Sequence, residues 1–333
     1  METLAETQPV RVDERPDAEY FAAHGLSNSG MKDLAVSPLR YWHLHINPNR
    51  PEPRTTPEMT FGSALHCAVL EPDKFPLRYA REIDASDFDG CLVTMDDLRA
   101  FLKARGIAPK GTRKADLIGV VQSVDPDAPI LDVLQERHAV ATQGKTVLSP
   151  ADWARVARAA EALGDEAALM DILTDGCSEM PMFVKDPETG VMLKAKMDFV
   201  SSRHTVDLKT FSQKRGTSID ESITHAIWYE GYHIQAYFYS LVRSLVGGLK
   251  SPAKAPPFIF AFVESEEPHE VRLRSMSAYM GRDVNMLWER ARSTVTERIR
   301  QYAEYCDRFG VEPWRDPRGV DPLEDIEFPA LAY

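Results

Sequence analysis

Within "HTVDLKTFS", His204 to Ser212, Asp207 and Lys209 stand two residues apart and alternate with Val206 and Leu208. Side chains two apart on a strand share a face, so this pattern sets a carboxylate beside an ammonium. As a solvated surface pair they would contribute at most about 1 kcal/mol. As part of a site, the carboxylate is a hard oxygen ligand for Mg2+ or Mn2+, and the ammonium can offset charge building on a phosphate. Two further acids fall on neighbouring predicted strands: Glu179 opens "SEMPMFVKD" and Asp198 ends "GVMLKAKMDFV". The second and third strands are joined by a tight turn, so Asp198 and Asp207 can approach across a hairpin. Like charges that close repel unless a cation neutralises them. A metal held by carboxylates can bind a phosphodiester oxygen, activate a water and support the departing alkoxide. The Asp-x-Lys triplet alone is weak, since such triplets arise often by chance.

The elements that must position these groups are legible in the hydrophobic pattern. Ser27 or Asn28 is a plausible cap for a short helix ending near Pro38. In "MTFGSALHCAVLEP", Phe61, Leu65, Ala68 and Val69 fall at helical spacing, and Pro72 stops the helix. His66 lies beside that apolar stripe, where a lone histidine is ordinarily a satisfied core residue. From Pro150 a helix turns Trp153, Val156, Ala160 and Leu163 to a core. Then the period changes to two, and three strands follow, joined by "DPETG" and "SSR" turns. One long helix is expected over "IDESITHAIWYEGYHIQAYFYSLVRSLVG", then a strand pair in "PPFIFAFVES" and "HEVRLRSM", then a helix from Ala278 to Arg308. The order predicts an α/β fold with a mixed sheet. Asp207 and Lys209 are expected at an exposed strand end, where substitution affects stability little.

Residues 78–149 differ in character. Thr94 to Gln122 reads as two short amphipathic helices, one with Leu98, Phe101 and Leu102, the other with Leu117, Ile118 and Val121. Between Lys103 and Lys114 every charge is basic: Lys103, Arg105, Lys110, Arg113 and Lys114. This hairpin resembles the SAP or helix-extension-helix type of DNA-binding module. The structural reading of the same residues is a solvated basic face on an inserted hairpin.

A chain of 333 residues suggests about two domains. Hydrophobic content of 44% and charged content of 27% are those of an ordinary soluble globular protein. No apolar run reaches the length of a membrane span, and the polar, acidic start is unlike a signal peptide. The four scattered cysteines, Cys67, Cys91, Cys177 and Cys306, form no CxxC pair and fit a reducing cytoplasm. The net charge of −12 argues against general polyanion affinity but leaves room for a local basic groove.

"FGSALHCAVLEPDKF", "MDFV…VDLKT", "YHIQAYFYS" and "PPFIFAFVES" occur in the order found in the exonuclease VIII (RecE) family, a phage-type branch of the PD-(D/E)xK nuclease superfamily. The resemblance covers residues 26–77 and 150–333. It implies a restriction-endonuclease-like core with a mixed central sheet flanked by helices, plus a small helical insertion. On that division residues 1–20 are a flexible tail, 21–77 the N-terminal part of the nuclease domain, 78–149 the insertion and 150–333 the nuclease core. It also implies metal-site roles for His66, Asp198 and Asp207, a contact from the Leu208 carbonyl, and a catalytic role for Lys209. Glu179 matches an upstream acid supporting a metal or its water. Gln235 and Tyr239 match the QxxxY signature, one helical turn apart and so on one face, positioning DNA or holding the site together. The implied activity is a Mg2+-dependent exodeoxyribonuclease on linear double-stranded DNA ends, with Mn2+ able to substitute. It would run 5′→3′, leaving a 3′ single strand for an annealing protein like RecT in phage-type recombination, from a homo-oligomeric ring. The scattered cysteines lack the spacing an iron–sulfur cluster needs, so none is expected. The rival readings are a structure-specific or single-strand nuclease of the same fold and a catalytically inactive DNA-binding protein.

Overall fold

The structure is a computed structural model that describes residues 17–52, 54–109, 111–249, 251–276 and 282–315. Lys110, one of the cations singled out above, lies outside them. In chain order the elements that matter are α1 (Asn28–Val36), α2 (Pro57–Leu70), β1 (Tyr79–Arg81), α3 (Met95–Ala104), α4 (Lys114–Val124), β2 (Thr146–Leu148) and α5 (Pro150–Gly164). They continue with β3 (Gly176–Lys185), β4 (Met192–Ser201), β5 (Thr205–Phe211), α6 (Ile219–Tyr229), α7 (Tyr232–Val246), β6 (Phe258–Glu264), β7 (Val271–Met276) and α8 (Arg282–Phe309). A one-and-a-half-turn helix, Asp17–Ala22, carries order into the end of the stretch expected as a tail.

The chain forms two compact units, cut at Thr55/Thr56 and Glu166/Ala167, with Glu266–His269 counted in the second. The boundaries differ from the expected insertion at 78–149, because α2 and α5 pack on one another within the second unit.

The first unit is built on a five-stranded mixed sheet in the order β3-β4-β5-β6-β7. Only β5 and β6 run parallel. A parallel pair needs a crossover of a dozen or more residues, and α6 with α7 supplies it. All seven residues of β6, "FIFAFVE", are buried, as the unbroken apolar run of a central strand demands. Phe258, Phe260 and Phe262 join Tyr237 and Phe238 of α7, and Trp288, Val295 and Ile299 of α8, in one core. Each such side chain contributes roughly 1.5–3 kcal/mol by leaving water.

The strands outrun the expected bounds. β3 starts at Gly176, two residues before the expected strand, so Glu179 is its fourth residue; β4 ends at Ser201, one past its expected end, and β5 at Phe211, two past Lys209. Buried Phe199, Val200 and Phe211 extend the hydrophobic pattern beyond the charged residues. The expected single helix over 219–247 is two. Ser218 opens α6 with a reciprocal capping box to Glu221. Between the helices Gly231 adopts φ +66°, a left-handed turn that glycine makes without steric penalty. Ser27 caps α1 by accepting from the Gly30 N–H at 3.1 Å. On α5 the buried positions are Val156, Ala159 and Leu163; Trp153 and Ala160, expected inward, are half-buried. The last helix begins by Arg282 among the described residues.

In the second unit, α3 and α4 stand as the spacing predicts. Thr94 caps α3 through a box with Asp97, and Leu98, Leu102, Leu117, Val121 and Ile130 form a small separate core. Among the described residues no helix is long and apolar enough to cross a membrane.

Candidate active site

Asp207 lies on β5 opposite Phe260 of β6 in the parallel register, and Lys209 lies opposite Phe262. Their shared face looks toward α7. Asp207 is 1% exposed, and its Oδ1 accepts from Gln235 Nε2 of α7 at 2.6 Å. The Lys209 Nζ sits 2.5 Å from Asp207 Oδ2 and 5.0 Å from the centre of the Tyr232 ring. The expected exposed edge is therefore wrong for Asp207: the crossover helices bury it. Burial pushes the Lys209 ammonium toward neutrality, but the Asp207 and Asp198 carboxylates outweigh it and hold its pKa above that of an ordinary lysine.

Asp198 reaches the same place from β4. The β4–β5 ladder pairs only Phe199 with Val206 and Val200 with Thr205. One position further the strands part, and Asp198 Oδ2 accepts the Leu208 N–H at 2.7 Å, satisfying a backbone donor that the ladder has released. The β3–β4 ladder is interrupted at the adjoining point: Ser178 pairs with Phe199 and Met180 with Met197, but Glu179 and Asp198 between them do not. There Glu179 takes φ +55°. That conformation costs a non-glycine residue on the order of 1 kcal/mol, and it brings a Glu179 carboxylate oxygen within 4.8 Å of one from Asp198. Lys196, two residues before Asp198, closes on Glu179 Oε2 at 2.6 Å.

Gln235 and Tyr239 lie one turn apart on α7 and on its sheet-facing side. The Tyr239 hydroxyl is driven well above its usual pKa, first by burial and then by the Asp207 and Asp198 charges, and it is hydrogen-bonded to Gln235. The five sheet-unit side chains Asp198, Asp207, Lys209, Gln235 and Tyr239 thus form one connected cluster, with Glu179 at its margin. His66 belongs to the other unit, half-buried on α2 between buried Leu65 and Cys67.

Sequence reasoning missed three participants. Lys196 was signalled only by its i−2 spacing from Asp198. Tyr232, three residues before Gln235, carries Lys209 on its ring. Lys32 of α1 lies over the same ring at 5.8 Å and donates to the Glu230 carbonyl at 2.6 Å. Burial lowers its pKa, and Lys209 close by lowers it further. Nothing local in the sequence pairs residue 32 with residue 232.

The donor set suits a hard divalent cation. Carboxylates this close repel unless a cation offsets them; Lys196 supplies one positive charge beside Glu179, and oxygen ligands are those Mg2+ and Mn2+ prefer. The helical hairpin of residues 94–122 is arranged differently. Arg105 meets Asp125 at 3.5 Å, Arg113 meets Asp116 at 2.9 Å and Lys114 meets Asp132 at 2.5 Å. Exposed Lys103 is the described hairpin cation without such a pairing among the described residues.

A mixed sheet carrying an acid-x-lysine strand, with a further acid on the preceding strand and helices around it, defines a PD-(D/E)xK-like core. Family comparison agrees: over residues 27–313 the chain matches, and belongs to, the family described as a PDDEXK-like domain of unknown function (DUF3799). A search of curated proteins finds no match. Two solved structures show low similarity. One is the crystal structure of a candidate exonuclease from Eubacterium rectale, with 17% identity, a TM-score of 0.33, and coverage of 75% of this chain and 88% of that one. The other is that of SSO0001, with 14% identity, a TM-score of 0.24, and coverage of 43% and 60%. Neither is close enough to bear on mechanism.

Proposed function

We propose that the protein is a divalent-metal-dependent nuclease, acting as an exodeoxyribonuclease on linear duplex DNA. The observation that carries this reading is the buried Asp207–Lys209 pair, fixed by Gln235 and joined by Asp198. A solvated ion pair needs no such enclosure; a site that must hold charge at a fixed point does.

Asp198 and Asp207 would hold Mg2+, with the Leu208 carbonyl adding a contact and Glu179 supporting the set; a metal role for His66 rests on the family resemblance alone. When bound, the metal would polarise a phosphodiester and lower the pKa of a water. Lys209, kept protonated by its acidic neighbours, would orient that water or offset charge on the phosphate. Gln235 holds Asp207 through one oxygen and leaves the other directed at Lys209. Tyr239 supports Gln235. No iron–sulfur cluster is part of the proposal. The 5′→3′ direction, the 3′ single-stranded product, the annealing partner of phage-type recombination and the homo-oligomeric ring rest on the family resemblance. The hairpin would be an accessory DNA contact through Lys103 and its neighbours.

The test incubates end-labelled linear DNA and covalently closed DNA with Mg2+, and again with EDTA. Loss of label from the linear form alone, abolished by EDTA, supports the reading. Nicking of closed circles would favour a structure-specific or single-strand nuclease. Binding without any product would mean an inactive DNA-binding protein.

A further inference from the structure

The C-terminal end of α6 presents a surface that borders the cleavage site and shares Lys32 with it. Tyr229 is 70% exposed and Trp228 43%, although both are large enough to reward burial. Their π-faces are held rather than loose. Tyr229 stacks on His225, one turn back, with ring centres 3.9 Å apart and planes at 25°. Trp228 stacks on buried His233 at 5.6 Å and 14°.

Cations frame the rings. Arg290 of α8 lies over Trp228 at 4.7 Å. Lys214, in the loop leaving β5, places its Nζ 3.0 Å from His225 Nε2. Lys32 donates to the carbonyl of Glu230, the residue after Tyr229. Among the described residues none of these three cations is in an ion pair, in contrast to Arg105, Arg113 and Lys114. The surface also adjoins the site in the chain. Tyr232, on whose ring Lys209 lies, is three residues from Tyr229, a span of at most about 11 Å.

Exposed, pre-oriented aromatic rings among unpaired cations are what an unpaired nucleic-acid strand requires: its bases stack on π-faces while its phosphates are neutralised. A duplex offers no free base faces, and an acidic or neutral peptide gives no reason for the rings. We infer that the end of α6 is a stacking platform for a single-stranded segment of the DNA substrate beside the cleavage site. Tyr229 receives a base on the face that His225 leaves open, Trp228, stacked on His233 and covered by Arg290, flanks it, and Lys32, Lys214 and Arg290 meet the backbone. This deepens the nuclease reading and rests on it.

The test measures anisotropy of a fluorescein-labelled oligothymidylate with the full chain in EDTA, where nothing is cleaved, across a salt series. Tyr229→Ala should weaken binding about tenfold, as loss of one stacked base does, and Trp228→Ala by less, both without changing the salt slope. Tyr229→Phe should retain parental affinity, and Lys214→Ala should flatten the salt slope. Tyr229 is too exposed for its loss to leave a cavity, and circular dichroism checks both alanine variants. Parental affinity in both alanine variants would overturn the platform. So would a wild type that does not bind the oligonucleotide, or a dimer that Tyr229→Ala dissolves while oligonucleotide affinity stays unchanged. Cleavage of end-labelled linear DNA with Mg2+ is scored separately. A wild type that cleaves, but whose oligonucleotide affinity ignores both alanine substitutions, refutes the platform alone. One that binds through these rings and cleaves nothing refutes the nuclease reading alone.

Discussion

In the sheet unit the Lys209 ammonium lies 2.5 Å from Asp207 with both side chains largely buried, and Gln235 holds the carboxylate from behind. In the helical unit Arg113 meets Asp116 at 2.9 Å with its side chain 80% exposed. Both are cation–carboxylate pairs at short range, and the sequence makes the second region look the more strongly charged. Their energetics are opposite. An exposed pair contributes about 0–1 kcal/mol and can be lost unnoticed. A buried one stands on a large desolvation penalty, tolerable only because its geometry is fixed from several sides. Enclosure, more than the number of charges, separates a site from a solvated face.

The largest expected effect breaks the buried pair. Lys209→Met should lower DNA cleavage by on the order of 10²–10³ or more, as loss of a preorganised electrostatic group does; parental turnover in a quench-flow assay would remove Lys209 from the site. Asp207→Ala should also destabilise the protein, by about 3–5 kcal/mol, because it leaves the lysine buried and unpaired. Urea denaturation of the single and double variants checks this. The double variant, Asp207→Ala with Lys209→Met, should be more stable than Asp207→Ala alone; strict additivity would mean that the two charges do not interact.

Arg243 gives a structural counterpart within the same unit. From α7 it donates to the Ser201 and His204 carbonyls and to Thr205 Oγ1, and burial lowers its pKa to about 10. Arg243→Met should cost roughly 2–4 kcal/mol in the same denaturation experiment, since it orphans acceptors at the β4–β5 turn. Gln235→Ala should slow single-turnover cleavage by about tenfold, through lost positioning of Asp207. A larger loss accompanied by collapse of stability would assign Gln235 to the fold alone. The smallest effect belongs to the hairpin: Arg105→Ala and Arg113→Ala should each change stability by less than about 1 kcal/mol. A DNA affinity lowered as much as by Tyr229→Ala would reverse the ranking of the two regions.

The β5 alternation, a cap at Ser27 or Asn28, and the paired helices of 94–122 were legible because each rests on interactions within a few residues. The acid-x-lysine strand and its partner Asp198 were legible from strand spacing, whereas Gln235 and Tyr239 were singled out by the family resemblance, the helical period only placing them on one face. The break at Gly231 was not, since periodicity runs through it and only a left-handed φ ends α6 there. Nor was the strained backbone of Glu179, which follows from where two ladders fail to meet. The pairing of Arg105 and Lys114 with Asp125 and Asp132 joins residues 18 to 20 positions apart, beyond any local pattern.

Sequence alone therefore determined which side chains share a strand face or a helical turn, because those relations depend on backbone geometry and nearest neighbours. Tertiary structure decided which charges leave water. It closed α7 over Asp207, left Trp228 and Tyr229 in solvent, and tied the hairpin cations to distant acids. Desolvation depends on what packs above a residue, and that is set by segments the local pattern does not contain.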